Sequence, residues 1–302
     1  MLEFLNVSKT FKSDLLAKPF SALRDVSFQI PDGAMIGFLG ANGAGKTTSI
    51  KVILDFIRPD AGEVRFAPHL RTAGGAIDFA KIGYLPERPY FYPHLTGREF
   101  ATYMGQLSGM RKARIADELR RHAERFRLSA ALDRPLRTYS KGMLQRMGFL
   151  VTILHDPQLI ILDEPLSGLD PVGRLELKEI MVQERRAGKT VFFSSHIVPD
   201  VEEICDRVIF LRAGQLVYDG SVDKLLREHL RQSYVLAVPA GTAPPPIPVK
   251  DRERSSPEFV TWEVAAEHKD ALVRELAARD VPIFSLVQER PSLEEIFYHI
   301  KR

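Results

Sequence analysis

Residues 40–48 read GANGAGKTT, and the spacing G-x-x-x-x-G-K-[ST] is filled by Gly40, Gly45, Lys46 and Thr47. Such a loop suits a nucleoside triphosphate because several backbone N–H groups must converge on one anionic cluster. Glycines allow that tight wrap, and the helix that follows adds its positive end. Lys46 supplies a point charge for the terminal phosphates, and the Thr47 hydroxyl is placed to ligate Mg²⁺. Asn42, Gly43, Ala44 and Thr48 complete the nucleotide-binding loop. The apolar run 35–39 before it reads as a buried parallel strand, and residues 48–57 read as a helix ending near Arg58 and Pro59. A phosphate loop between a strand and a helix does not by itself separate a kinase, a GTPase, a helicase or a transport ATPase.

A second run narrows the choice. LIILDEPLSGLD, residues 159–170, opens with four apolar residues that predict another buried strand, with Asp163 and Glu164 emerging at its C-terminal end. Ligands of open α/β sheets bind at that edge. Consecutive strand residues point to opposite faces, so two adjacent carboxylates there have different tasks. Asp163 is the natural outer-shell partner of the Mg²⁺ held by Thr47, and Glu164 can then orient and polarise an attacking water as general base.

With these residues in order, the chain resembles the nucleotide-binding subunit of an ATP-binding cassette (ABC) transporter, from about residue 1 to about residue 220. Ser167-Gly168-Leu169-Asp170 matches the family's D-loop, and VFFSSH at 191–196 puts His196 at its switch-histidine position. Tyr84-Leu85-Pro86-Glu87 falls at the Q-loop, and Ser140-Lys141-Gly142-Met143 at the signature motif. Two positions depart from the common pattern. The signature carries Lys141 and Met143 where Gly and Gln are usual, and the Q-loop carries Glu87 in place of Gln. Ser140 keeps its hydroxyl and Gly142 its close backbone approach at a helix start. Glu87 can still reach Mg²⁺ or its water but has no amide to donate. Both variants are similar to a branch that serves export-type permeases.

The resemblance implies an α/β P-loop NTPase fold, with a mixed-sheet core and a helical subdomain at about 97–150. It implies ATP and Mg²⁺ as ligands and ATP hydrolysis as the reaction. Lys46, Glu164 and His196 would act on the γ-phosphate and water. Thr47, Asp163 and Glu87 would serve the metal, and Ser140, Lys141 and Gly142 would complete the site of a second subunit packed head to tail. An aromatic near the N-terminus stacks on adenine in the family. Phe11 in SKTF sits at about that place and Phe20 competes with it. Pro89, Tyr90, Phe91 and Tyr92, after Glu87, are expected to meet an integral-membrane permease. The second ATPase subunit is expected to be another copy of this chain, although a relative would serve equally.

Composition agrees. The chain has 302 residues, 45% hydrophobic and 27% charged, with a net charge of +3, which argues for no polyanionic partner. No apolar run approaches the ~20 residues of a membrane helix. Glu3, Lys9, Lys12, Asp14 and Lys18 leave no apolar core for a signal peptide. The expected location is the cytoplasm, peripheral on the inner face of the cell membrane. A single cysteine, Cys205, excludes an intrachain disulfide and a multi-cysteine zinc site. The basic stretch 110–127 reads as a solvated helix face, and nucleic acid is not an expected partner.

After Gly220 the pattern changes to that of a small α+β appendage, residues 221–302. It reads as a helix at 221–230, a strand at QSYVLAVP, a Pro-rich loop at 241–248, strands at 258–264 and 282–287, and helices at 266–279 and from Ser292. Its ending, PSLEEIF, is similar to the C-terminal extension of many export-type ABC ATPases, an accessory part that either regulates or only stabilises. The rival reading is a non-transport ABC ATPase acting on ribosomes or DNA. Such translation factors usually carry two cassettes, whereas one phosphate loop is present here. A P-loop kinase or GTPase would leave residues 140–142 unexplained, and no Asn-Lys-x-Asp guanine reader is found.

Overall fold

The computed structural model describes residues 1–11, 19–230, 232–251 and 257–299. The chain forms two units, Met1–Ser221 and Val222–Arg302. The first opens with two long strands, β1 (Leu2–Phe11) and β2 (Phe20–Ile30). β3 (Met35–Leu39) is buried at all five positions, and the phosphate loop follows it into α1 (Lys46–Ile53). That helix starts two residues before the expected 48 and stops four before the expected 57. Asp55 turns into the left-handed region at φ 56°, and the Phe56 N–H reaches back to the Lys51 carbonyl, which ends the helix ahead of Pro59.

β4 (Ala61–Phe66) joins the edge of β1, giving an antiparallel sheet in the order β2-β1-β4. β5 (Ile82–Leu85) precedes a helical stretch of α2 (Gly97–Leu107), α3 (Lys112–Arg125) and α4 (Lys141–Ile153). Thr96 and Glu99 form a reciprocal capping box at the start of α2. The chain then alternates strand and helix: β6 (Leu159–Leu162), α5 (Pro171–Arg186), β7 (Thr190–Ser195) and α6 (Val198–Ile204). A closing hairpin of β8 (Arg207–Arg212) and β9 (Gln215–Ser221) turns at Ala213 and Gly214, both at positive φ. Cys205 caps α6; its Sγ lies 3.0 Å from where a Cβ on Gly37 would be, and burial pushes its thiol well above the ordinary range.

The second sheet runs β5-β6-β7-β3-β8-β9, parallel except for the last pair. β3, β6 and β7 are buried at every position and so on both faces, as in a covered parallel sheet; β3 and β6 are wholly apolar, and β7 is apolar at Val191, Phe192 and Phe193. A line of rings welds the two sheets: Phe4 on Phe28 at 4.6 Å, Phe28 near Phe38 at 5.5 Å, and Phe38 near Phe192 at 5.1 Å. Register then places the chemistry. Leu39 pairs with Ser195 and Leu162 with Phe193, so the phosphate loop, Asp163 and His196 all leave the sheet at one edge.

The second unit holds α7 (Val222–Glu228), β10 (Ser233–Pro239), β11 (Val249–Asp251), β12 (Phe259–Ala265), α8 (Lys269–Ala278), β13 (Ser285–Gln288) and α9 (Leu293–His299). Its antiparallel sheet runs β11-β12-β10-β13, and Leu236, Val238, Trp262 and Val264 meet Leu272 and Leu276 of α8 in its core. β11 falls where the sequence predicts no strand, at the start of the charged run 250–254, of which residues 252–254 lie outside the described residues. Among the described residues, no helix is long and apolar enough to cross a membrane.

Candidate active site

A cavity of about 290 Å³ opens at this sheet edge, lined by Asn42, Gly43, Gly45, Lys46, Thr47 and Thr48 of the phosphate loop, with Glu87, Glu164, Ser167 and His196 opposite. Glycine is obligatory at Gly45: its φ is 107°, and a Cβ there would meet the Ala22 carbonyl oxygen at 2.6 Å. Gly40 and Ala44, of the same loop, do not line the cavity. The Lys46 ammonium donates to the Gly40 carbonyl at 2.7 Å, and Ala44 is buried beneath the loop.

Lys46 is also 3.2 Å from Glu164 Oε1, and Glu164 Oε2 is 2.8 Å from His196 Nδ1. Lys46, Glu164 and His196 thus form a continuous polar line across the cavity, with the two acid–base partners of Glu164 on opposite sides of its carboxylate. Glu164 itself has φ 49°, a left-handed conformation that a non-glycine residue holds only when its surroundings fix it.

Those surroundings include Ser194. The Glu164 N–H donates to Ser194 Oγ at 2.8 Å, and the Ser194 hydroxyl donates to Asp163 Oδ1 at 2.6 Å. One fully buried hydroxyl therefore fixes both members of the acidic pair. No motif of the sequence singles out Ser194. The available signal was the pair of serines that closes β7 after Val191, Phe192 and Phe193: a buried hydroxyl must find a partner, and the parallel neighbour ends in a carboxylate.

Burial pushes the Asp163 carboxyl above its ordinary range, and the Glu164 and Glu87 charges add to that; the Ser194 and Thr47 hydroxyls oppose it. Asp163 Oδ2 is buried without a hydrogen bond of normal geometry. An under-compensated carboxylate oxygen beside Thr47 fits a hard divalent cation. Among the described residues no group of three or more His, Cys, Asp or Glu could hold a metal alone.

Comparison with known proteins gives the family. The family model described as ABC transporter matches residues 23–167. An uncharacterized ABC transporter ATP-binding protein of Synechocystis is 35% identical over 301 residues, covering 98% of this chain and 83% of that protein. The chain belongs to the ABC transporter ATP-binding proteins. A solved ATP-binding subunit of an ABC transporter shares the fold with a TM-score of 0.64 at 29% identity, covering 75% of this chain and 92% of that one. A dimeric cassette in a post-hydrolysis state with ADP and phosphate superposes with a TM-score of 0.64 at 20% identity, covering 74% of this chain and 99% of that one.

As an ABC ATPase, the chain has two features that bear on its nucleotide. Phe11 is not among the residues lining the cavity, whereas Phe20 is. The two are cross-strand partners at the ends of β1 and β2, and Phe11 lies instead beneath the Lys9 ammonium, 5.8 Å from its ring centre. The signature residues Ser140, Lys141 and Gly142 also lie outside the cavity of their own chain. Ser140 caps α4, its Oγ accepting from the Met143 N–H at 3.2 Å. Lys141 reaches over the D-loop: a Cβ on Gly168 would collide with its ammonium at 2.0 Å.

Proposed function

We propose that this chain energises a membrane permease, most simply an exporter, by hydrolysing ATP at composite sites formed when two copies meet head to tail. The observation that carries the reading is the line Lys46–Glu164–His196 facing a cavity that its own signature turn does not reach. A site holding the phosphate loop and the base but lacking the signature hydroxyl and helix N-terminus is half of a pair. The dimeric cassette bound to ADP and phosphate is a precedent, in another protein, for a dimer that holds the products of hydrolysis.

On this reading the triphosphate draws the Lys46 ammonium away from Glu164 Oε1. Glu164 then accepts a proton from the water that attacks the γ-phosphorus as the bond to the β–γ bridging oxygen breaks and ADP leaves, while His196 holds the other carboxylate oxygen in place. Thr47 and Asp163, with Glu87 at the rim, would hold Mg²⁺, which when bound screens the phosphate charge. Ser140 Oγ would leave its local cap to meet the partner's nucleotide, with Lys141 and Gly142 beside it. In such a pair the D-loop of each chain, with Asp170, would lie near both sites.

Phe20, rather than Phe11, is the ring that suits the adenine. Phe20→Ala should weaken ATP binding by about 1 kcal/mol, roughly fivefold, whereas Phe11→Ala should leave it unchanged. Titration of a fluorescent ATP analogue reads the difference; the reverse order would return the base to Phe11.

The permease reading rests on a second groove of about 340 Å³, lined by Tyr84, Pro89, Tyr90, Phe91, Phe100 and Met104. Tyr90 and Tyr92 pack edge-on at 5.5 Å, Tyr92 and Tyr103 at 5.8 Å, and Tyr90 is 77% exposed. A ridge of amphipathic rings beside an apolar slot suits an amphipathic helix of a membrane protein. The working location is then the cytoplasmic face of the membrane. The second unit, which carries none of these residues, serves as an accessory domain. Affinity purification from detergent-solubilised membranes tests the assignment: an integral-membrane subunit should co-purify, and recovery of ribosomes or DNA instead would contradict it.

A further inference from the structure

Glu164 is fixed from a second direction, by a residue that no step above uses. Gln145 lies one turn into α4 and is 8% exposed. Its side-chain amide donates to the Pro165 carbonyl at 2.8 Å in a buried hydrogen bond. Proline has no N–H, so this carbonyl is the only main-chain polar group of Pro165. Glu164 therefore sits between two anchors. Ser194 of β7 holds its N–H, and Gln145 of α4 holds the carbonyl of the next residue.

The need for two anchors follows from the backbone. Glu164 is a non-glycine residue at φ 49°, a conformation that costs on the order of 1–3 kcal/mol and persists only when the surroundings dictate it. The loop after it has one short-range bond, the Ser167 N–H to the Glu164 carbonyl at 3.1 Å. That bond closes a turn but leaves its orientation open. The rest of α4 is keyed to the same stretch. Arg146 pairs with Glu176 of α5 at 2.7 Å, and a Cβ on Gly142 would lie 3.7 Å from Leu169. These contacts lock the helix; only the Gln145 bond reaches the residue next to the carboxylate.

We propose that Gln145 is a positioning residue for ATP hydrolysis: its amide, through the Pro165 carbonyl, holds the Glu164 carboxylate where it can take the proton of the attacking water. The proposal rests on Glu164 being the base. Gln145 does not touch the nucleotide, so its loss changes kcat and leaves affinity alone. A carboxylate displaced by a fraction of an ångström to 1 Å loses up to ~10²-fold in rate.

The test is a double-mutant cycle on the full-length chain, with kcat, ATP Kd and melting temperature measured for Q145M, Q145E, E164Q and the pair Q145M/E164Q. Q145M keeps length and removes the donor. Q145E keeps shape and, ionised, also removes it, so it stands in should Q145M fail to fold. Both are expected to lower kcat by about 10–100-fold with ATP Kd within about twofold of the parent. In the E164Q background, Q145M should cost nothing further in single-turnover rate, because a residue acting through Glu164 has no effect once the base is gone. Losses that multiply in the double variant, or a wild-type kcat in a folded Q145M or Q145E, overturn the proposal. Near-normal turnover by E164Q alone would instead remove Glu164 as the base, which is a separate failure.

Discussion

Replacing Glu164 by Gln lowers ATP turnover by about 10²–10⁴-fold, the range expected when a general base is lost, while ATP binds at least as tightly as before. The two halves of that expectation have different causes. Gln keeps the shape of the side chain and can still take part in the contact with His196 Nδ1, now at 2.8 Å, but it cannot hold a proton from water at neutral pH. The ion pair between Lys46 and Glu164 Oε1, 3.2 Å long, disappears as well. Lys46 keeps its bond to the Gly40 carbonyl and no longer has to leave a carboxylate to meet the phosphates. Binding is eased while chemistry stops, so ATP-bound assemblies accumulate. Steady-state turnover and equilibrium binding on the same preparation check it. Near-normal turnover would reduce Glu164 to a structural partner of Lys46.

Lys46→Ala should have the opposite signature, with ATP binding weakened by ~10²-fold or more. Each charge-assisted hydrogen bond to a phosphate oxygen is worth about 1.5–3 kcal/mol, and one ammonium can serve two of them. The side chain is nearly buried, and its ammonium is already aimed across the loop by the 2.7 Å bond to Gly40, so little order has to be gained on binding. Removal has a second cost. Glu164 Oε1, buried beside Lys46 and without a well-formed hydrogen bond, loses the ammonium that faces it. Binding of labelled ATP to the variant reads the effect directly, and an unchanged Kd would contradict the assignment of the loop.

What could be read from the sequence was whatever local chemistry dictates. The phosphate loop needs Gly45, Lys46 and Thr47 in a fixed order, and a buried strand ending in Asp163-Glu164 shows itself by its apolar run. The residues that hold these groups in place come from elsewhere in the chain. Ser194 is 31 positions from Asp163, and Gln145 is 20 from Pro165, so neither partnership follows from spacing along one element. Choosing between Phe11 and Phe20 was beyond the sequence for a related reason: the two face each other across β1 and β2, and the fold decides which ring turns to the cavity. The early end of α1 at Ile53 depends on Asp55 taking a left-handed conformation, which the propensity of residues 48–57 does not announce.

The claim on which the rest depends is that one chain holds only half of a working site. ATPase activity measured against protein concentration, with saturating ATP and Mg²⁺, tests it most directly. Below the dissociation constant of the pair, velocity should rise with the square of chain concentration, so that activity per chain falls toward zero on dilution. Activity per chain that stays constant down to the lowest measurable concentration would contradict it.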